Sequence, residues 1–127
     1  MPVMIKDMGE KGRGLVASKA FTKGDLILRD KTVVDYEAED IYYDSRTQFE
    51  ELMTHVDKLP VEERQEYFQL AMNPHEGMRI KKDLFSPAEN EIVNAWCIYK
   101  TNRIMGGVCL TLSLLNHSCD FNSMWVR

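Results

Sequence analysis

The chain has 127 residues, of which 44% are hydrophobic, and a formal net charge of -4, so it can form one domain whose core needs no disulfide or metal. The acidic balance argues against nucleic acid as the main ligand, because phosphate binding depends on clustered Lys and Arg. No run reaches the roughly 20 apolar residues of a membrane helix and no signal-like leader is visible, so we expect a cytoplasmic or nuclear protein that does not bind membranes.

Cysteine and histidine provide no metal ligand set. Cys97, Cys109 and Cys119 are an odd number without CxxC spacing, which predicts neither a disulfide framework nor a complete zinc site. Cys97 and Cys109 have apolar neighbours and are predicted to be small core residues. His55 and His75 have no partners at metal-ligand spacing and are expected to be structural or exposed to solvent.

The first third of the chain has the composition of short strands and turns. Glycines interrupt "MGEKGRGLVA", so "EKGRG" predicts a loop that leads into a strand. "LVASKAF" and "DLILRDKTVV" predict two strands joined through "TKGD", where Gly24 can adopt the positive φ of a tight hairpin.

A first helix is predicted after Asp44. Ser45 and Gln48 have the spacing of a capping box, and Pro60 follows the expected end near Leu59. The apolar positions recur at helical spacing, which predicts one buried stripe: Phe49, Leu52, Met53 and Val56.

The segment "VEERQEYFQLAMN" predicts a second, highly charged helix that Asn73 and Pro74 end. Its apolar positions are less regular: Val61, Phe68, Ala71 and Met72.

"SPAE" predicts the start of a third helix, with Ser86 at the N-cap, Pro87 at the first helical position and Glu89 at the third. The predicted buried stripe consists of Ile92, Val93, Trp96 and Tyr99. Gly106 and Gly107 end the helical region, and "VCLTLSLL" returns to strand-like composition. The order is strands, a helical insertion at about 45–103, then strands, which is compatible with one α+β domain over residues 1–127.

Two short motifs contain residues suited to binding. In "KGRGL", glycines flank Arg13, so backbone can approach a ligand while Lys11 and Arg13 offer positive charge to a carboxylate or phosphate. An ordinary glycine turn with solvated basic residues is the simpler alternative. The motif is not GxGxxG, and it precedes a strand rather than opening a helix.

The second motif, "NHSC", interrupts a leucine-rich run with Asn116, His117, Ser118 and Cys119. It fits a ligand site, a polar turn that caps a strand, an N-x-[ST] glycosylation acceptor, or a His–Cys nucleophilic pair. The last is disfavoured because adjacent residues on an extended chain point to opposite faces.

Taken together and in this order, "KGRGLVASKAFTKGDLILRDKTVV" and "LSLLNHSCDFN" resemble the SET domain of protein lysine methyltransferases. With "YKTNRI", they are most similar to the SET-MYND group, although the cysteine-rich zinc module of that group is absent between "DYEAEDIYYD" and the first helix. The resemblance implies a β-rich α+β fold of the β-clip type with a helical insertion.

The resemblance also implies S-adenosylmethionine as the cofactor and a protein or peptide lysine, such as one in a histone tail, as the substrate. By position, the implied cofactor-binding residues are Lys11, Gly12, Arg13, Asn102, Asn116 and His117. No catalytic residue and no metal ligand is assigned.

The sequence departs from the family pattern near its end. Phe121 replaces the usual proline of "NHSCxPN", and the family's later tyrosine, threading segment and zinc-binding cysteines have no counterpart up to Arg127. We therefore expect a C-terminally incomplete SET domain, and we expect residues 1–127 alone to bind cofactor weakly and to show little or no methyl transfer to histone or peptide lysines.

Two other functions compete with a methyltransferase. One is a non-catalytic SET-like module that binds a partner through acidic residues of the helical insertion, Glu62, Glu63 and Glu66, which could equally be a solvated helix face. The other is an unrelated small α+β domain that carries both motifs by chance.

Overall fold

The computed structural model of the protein describes residues 2–37, 45–72, 85–104 and 106–114. The chain divides into two compact units. One contains Met1–Arg29 and Leu114–Arg127, and the other contains Asp30–Ser113.

The first unit contains an antiparallel strand pair. β1 (Val3–Asp7) pairs with β2 (Arg13–Ala17) in a register that places Val3 opposite Ala17 and Asp7 opposite Arg13. A 3-10 turn at Gly9–Lys11 connects the strands. The predicted "EKGRG" loop leading into a strand is therefore confirmed.

The predicted hairpin between "LVASKAF" and "DLILRDKTVV" is wrong. Its turn does form, since Asp25 N donates to Thr22 O at 2.9 Å and Gly24 has a φ of 94°. However, residues 25–33 form no strand, and Leu26 is 65% exposed. A strand needs a partner for its backbone groups, and β2 pairs instead with β1, which the sequence patterns did not predict.

The second unit is built on three helices, the first of which matches its prediction closely. α1 (Arg46–Asp57) begins at the N-cap Ser45, whose side chain accepts a hydrogen bond from Gln48 N at 3.2 Å. Phe49, Leu52 and Val56 are fully buried and form the buried face of the helix, as predicted, whereas Met53 of the predicted stripe is only half-buried.

α2 (Val61–Phe68) forms inside the predicted segment, but it ends at Phe68, before the predicted end at Asn73. Val61 is 72% exposed at the first helical position, Phe68 is half-buried, and Tyr67 is fully buried, as is most of Leu70 just beyond the helix. Ala71 and Met72 lie beyond the helix end and are exposed. Tyr67 is the buried residue of α2, and its hydroxyl donates a hydrogen bond to Ala95 O of α3.

α3 (Asn90–Asn102) follows a 3-10 turn at Pro87–Glu89, and the predicted capping box is present. Ser86 N donates to Glu89 Oε1 at 3.1 Å, and Arg46 pairs with the other carboxylate oxygen at 2.5 Å. The Arg46 guanidinium, followed by the Ser86 amide, lowers the pKa of Glu89. The predicted SPAE start is therefore confirmed.

The buried face of α3 is broader than the predicted stripe. Trp96 and Tyr99 are fully buried as predicted, whereas Ile92 and Val93 are only half-buried. Ala95, Cys97 and Ile98 are buried as well. Neighbours on more than one side cover α3, so its apolar surface is not limited to one helical stripe.

The second unit also contains a short strand pair. β3 (Val34–Asp35) pairs antiparallel with β4 (Gly107–Val108). A Cβ atom at Gly107 would lie 2.5 Å from Thr32 Cγ2, so glycine is needed for this close approach. The longer strand predicted over "VCLTLSLL" is wrong, because the chain turns into a 3-10 helix at Leu112–Leu114.

Among the described residues, no helix has both the length and the apolar character required to cross a membrane.

Tyr67 allows a direct test of the packing between α2 and α3. Its buried hydroxyl donates to Ala95 O at 2.7 Å, and burial raises the pKa of the phenol. We expect Tyr67→Phe to reduce the free energy of unfolding by about 1 kcal/mol, because one buried hydrogen bond is lost without a cavity. Urea denaturation at 25 °C measures the change.

The matched control is Tyr36→Phe, which removes an exposed hydroxyl bonded to Glu51 Oε2 at 2.8 Å. This variant should reduce the free energy of unfolding by less than about 0.5 kcal/mol. Equal losses in the two variants would contradict the assigned role of Tyr67.

Candidate functional site

The glycine turn between β1 and β2 is closed by its own backbone. Met8 N donates to Gly12 O at 2.6 Å, and Gly12 N donates to Gly9 O at 2.9 Å. Asp7 Oδ1 accepts a hydrogen bond from Gly9 N at 2.9 Å. These bonds fix the turn, so the backbone before Arg13 has a defined shape.

Gly12 provides the open backbone that the sequence predicted. Its φ of 74° and ψ of -143° are almost restricted to glycine. No atom lies within 4 Å of a Cβ built at this position. Gly12 and Arg13 are both exposed, so a ligand can reach the main chain and the guanidinium from solvent.

Asn102, the third described candidate, belongs to the second unit and is only 8% exposed. Its side-chain nitrogen donates to Ala71 O at 2.7 Å and to Ile98 O at 2.9 Å. Because an amide nitrogen has two protons, both are used by backbone carbonyls. The side-chain oxygen is therefore the group of Asn102 that can serve a ligand.

The other predicted cofactor-binding residues, Asn116 and His117, lie outside the described residues, as does Cys119. The description of Lys11 is limited to its backbone in the 3-10 turn. Whether the two motifs contact one ligand therefore stays a prediction.

The SET domain family model matches residues 12–127. The chain belongs to the SET domain family. SET domains are generally protein lysine methyltransferases, and both "GRGL" and "NHSC" lie within the matched range. The short antiparallel strands and few helices confirm the predicted α+β SET fold. Comparisons with curated proteins and with solved structures gave no significant match.

Two cysteines of this SET domain have the core role that the sequence predicted. Cys97 is fully buried, and Cys109 is 8% exposed. Burial raises the pKa of the Cys109 thiol despite a contact with Thr32 Oγ1 at 3.7 Å. Because the thiolate is the nucleophilic form, Cys109 is poorly suited to nucleophilic chemistry.

His55 is exposed beside Tyr36, with ring centroids 5.4 Å apart, as the sequence predicted. His75 lies outside the described residues.

A surface pocket of about 500 Å³ lies beside α2 and α3 and is lined in part by Arg64, Phe68 and Glu91. Arg64 lies 5.0 Å above the Phe68 ring and forms ion pairs with Glu91 and Asp57. Its positive charge is thus balanced within the second unit of the SET domain. This pocket contains none of the predicted cofactor-binding residues.

Sequence reasoning missed Asp30, whose carboxylate accepts hydrogen bonds from Thr111 N and Leu112 N. Those amides lie just before the "NHSC" motif. A charged residue inside the strand-like run "DLILRDKTVV" was the available signal, but its partners are about eighty positions away and only tertiary structure reveals them.

The Gly12 conformation predicts a specific cost of substitution. We expect Gly12→Ala to reduce the free energy of unfolding by about 1–2 kcal/mol, because alanine is strained at this positive φ although space is open around it. Urea denaturation measures the change, with Glu10→Ala in the same exposed turn as the control. Wild-type stability in Gly12→Ala would show that the turn relaxes without cost.

Proposed function

We propose that this SET domain is an S-adenosylmethionine-dependent protein lysine methyltransferase domain. The observation that carries the proposal is the family match, which extends from Gly12 to Arg127 and includes "GRGL" and "NHSC". The proposed cofactor contacts come from Lys11, Gly12, Arg13, Asn102, Asn116 and His117.

The described candidates fit the chemistry of this cofactor. S-adenosylmethionine has a carboxylate, an ammonium group and a nucleoside. Exposed Arg13 suits the carboxylate, and the open space at Gly12 admits a ligand close to the backbone. The Asn102 oxygen can accept a hydrogen bond from a ligand N–H or O–H group.

When bound, S-adenosylmethionine supplies an electrophilic methyl group on a positively charged sulfur. The lysine ε-amine must be neutral to accept it, although its ordinary pKa is about 10.4. Desolvation and the nearby sulfonium charge both favour loss of the amine proton. The protein's task is therefore mainly to position the two reactants and to exclude water.

We further propose that the substrate is a lysine in a protein or peptide, with histone tails as one candidate class and the nucleus or cytoplasm as the location. The net charge of -4 favours association with a basic peptide. Within the family we place the chain nearest to the SET-MYND group without the zinc module, on the basis of "KGRGL", "YKTNRI" and "SLLNHSC".

Calorimetry with S-adenosylhomocysteine, the demethylated product of the cofactor, tests the proposal on residues 1–127. We expect saturable binding that Asn116→Ala weakens at least about tenfold, since a buried polar group of the ligand loses its partner. Asn94→Ala, at an exposed position of α3, is the matched control and should bind like the wild type.

No heat of binding at millimolar S-adenosylhomocysteine would overturn the proposed function. Equal affinity in Asn116→Ala and wild type would instead remove Asn116 from the set of cofactor contacts.

The alternative function is a non-catalytic module that binds a basic partner through α2. Glu62 and Glu66 are exposed, whereas Glu63 already pairs with Lys31 at 2.8 Å. This alternative predicts that Glu62→Gln with Glu66→Gln abolishes binding of a basic peptide while the wild type gives no signal with S-adenosylhomocysteine. Cofactor binding that is unchanged in this double variant favours the methyltransferase.

A further inference from the structure

The half-buried Asp30 connects two distant parts of the second unit. Its Oδ2 atom accepts hydrogen bonds from Thr111 N at 2.8 Å and from Leu112 N at 3.0 Å. Its Oδ1 atom accepts a hydrogen bond from Lys31 N at 2.9 Å. One carboxylate thus binds three backbone amides, two of which lie about eighty residues away.

These two amides lie at the start of the 3-10 helix Leu112–Leu114. The first N–H groups of a helix have no partner within it, and a side-chain oxygen from a neighbouring residue usually satisfies them. Here the oxygen comes from a remote segment. Asp30 therefore satisfies the amides at the start of this turn from outside it.

The residues that follow Asp30 contact Val108 and Cys109, which come shortly before Thr111 in the chain. These contacts hold Asp30 beside the turn. Val33 N donates to Val108 O at 2.9 Å, and Thr32 Oγ1 lies 3.7 Å from Cys109 Sγ. The turn is also held from its other side, since Ser113 N and Ser113 Oγ both donate to Cys109 O.

We infer that Asp30 is a positioning residue for the cofactor-binding segment, an inference that rests on the proposed function. Asn116 and His117 follow Leu112 by four and five residues. Because each residue extends the chain by at most about 3.6 Å, so short a connection keeps these two residues near the turn that Asp30 holds. Asp30 acts through the backbone at Thr111 and Leu112 and needs no contact with the cofactor.

Asp30→Ala and Asp30→Asn test this role, with Asp25→Ala as the matched control. Asp25 is exposed, and its carboxylate also accepts a backbone hydrogen bond, from Thr22 N at 2.7 Å. The control therefore removes the same charge and a similar bond, but its partner is local. Two quantities are measured on folded protein: the hydrogen-exchange rates of residues 115–119 and the affinity for S-adenosylhomocysteine.

We expect Asp30→Ala to increase exchange at 115–119 and to weaken the affinity, each on the order of tenfold, because two charge-assisted hydrogen bonds are lost. Asp30→Asn keeps one oxygen but loses the charge, so smaller changes of about threefold are expected. Asp25→Ala should match the wild type in both measurements.

The inference is overturned if Asp30→Ala has the same exchange rates and the same affinity as Asp25→Ala. In that case the role of Asp30 is purely structural, even if the free energy of unfolding falls. If Asp30→Ala does not fold, the same comparison is made with Asp30→Asn. If the wild type does not bind S-adenosylhomocysteine, the proposed function fails, and the exchange rates alone decide whether Asp30 positions residues 115–119.

Discussion

Burial of Trp96 on α3 is the interaction on which the second unit depends. Its ring is fully buried, stacks on Phe49 of α1 at 4.5 Å and lies 5.5 Å from Tyr99. The hydroxyl of Tyr67 on α2 donates a hydrogen bond to the backbone oxygen of Ala95, the residue before Trp96. An aromatic side chain of this size contributes several kilocalories per mole through apolar burial. α3 is therefore the element against which α1 and α2 both pack.

The described residues proposed for cofactor binding belong to hydrogen-bonded parts of the two units. Asn102 is the last residue of α3, and its amide holds Ala71 beyond the end of α2. Gly12 and Arg13 belong to the strand pair of the other unit, whose turn is closed by its own hydrogen bonds. Hydrogen bonds thus define the backbone from which these candidates extend, and a defined scaffold that presents binding residues is common in binding sites.

Local patterns predicted elements whose partners are close in sequence. The Ser45 cap, the α1 stripe except for Met53, and the capping box at Ser86 and Glu89 involve residues three or four positions apart, and all three are present. The same reasoning failed for "DLILRDKTVV" and "VCLTLSLL", because strands depend on remote partners. It also extended α2 to Asn73, whereas the helix ends at Phe68.

The sequence by itself determined the family, the α+β composition, the helix starts and the exposed glycine turn at Gly12, because each depends on residue type and short spacing. Only the tertiary structure decided which strand pairs with β2, how far β3 and β4 extend, how both amide protons of Asn102 are used, and that Asp30 binds Thr111 and Leu112. These outcomes depend on backbone groups far apart in the chain, which no local pattern encodes.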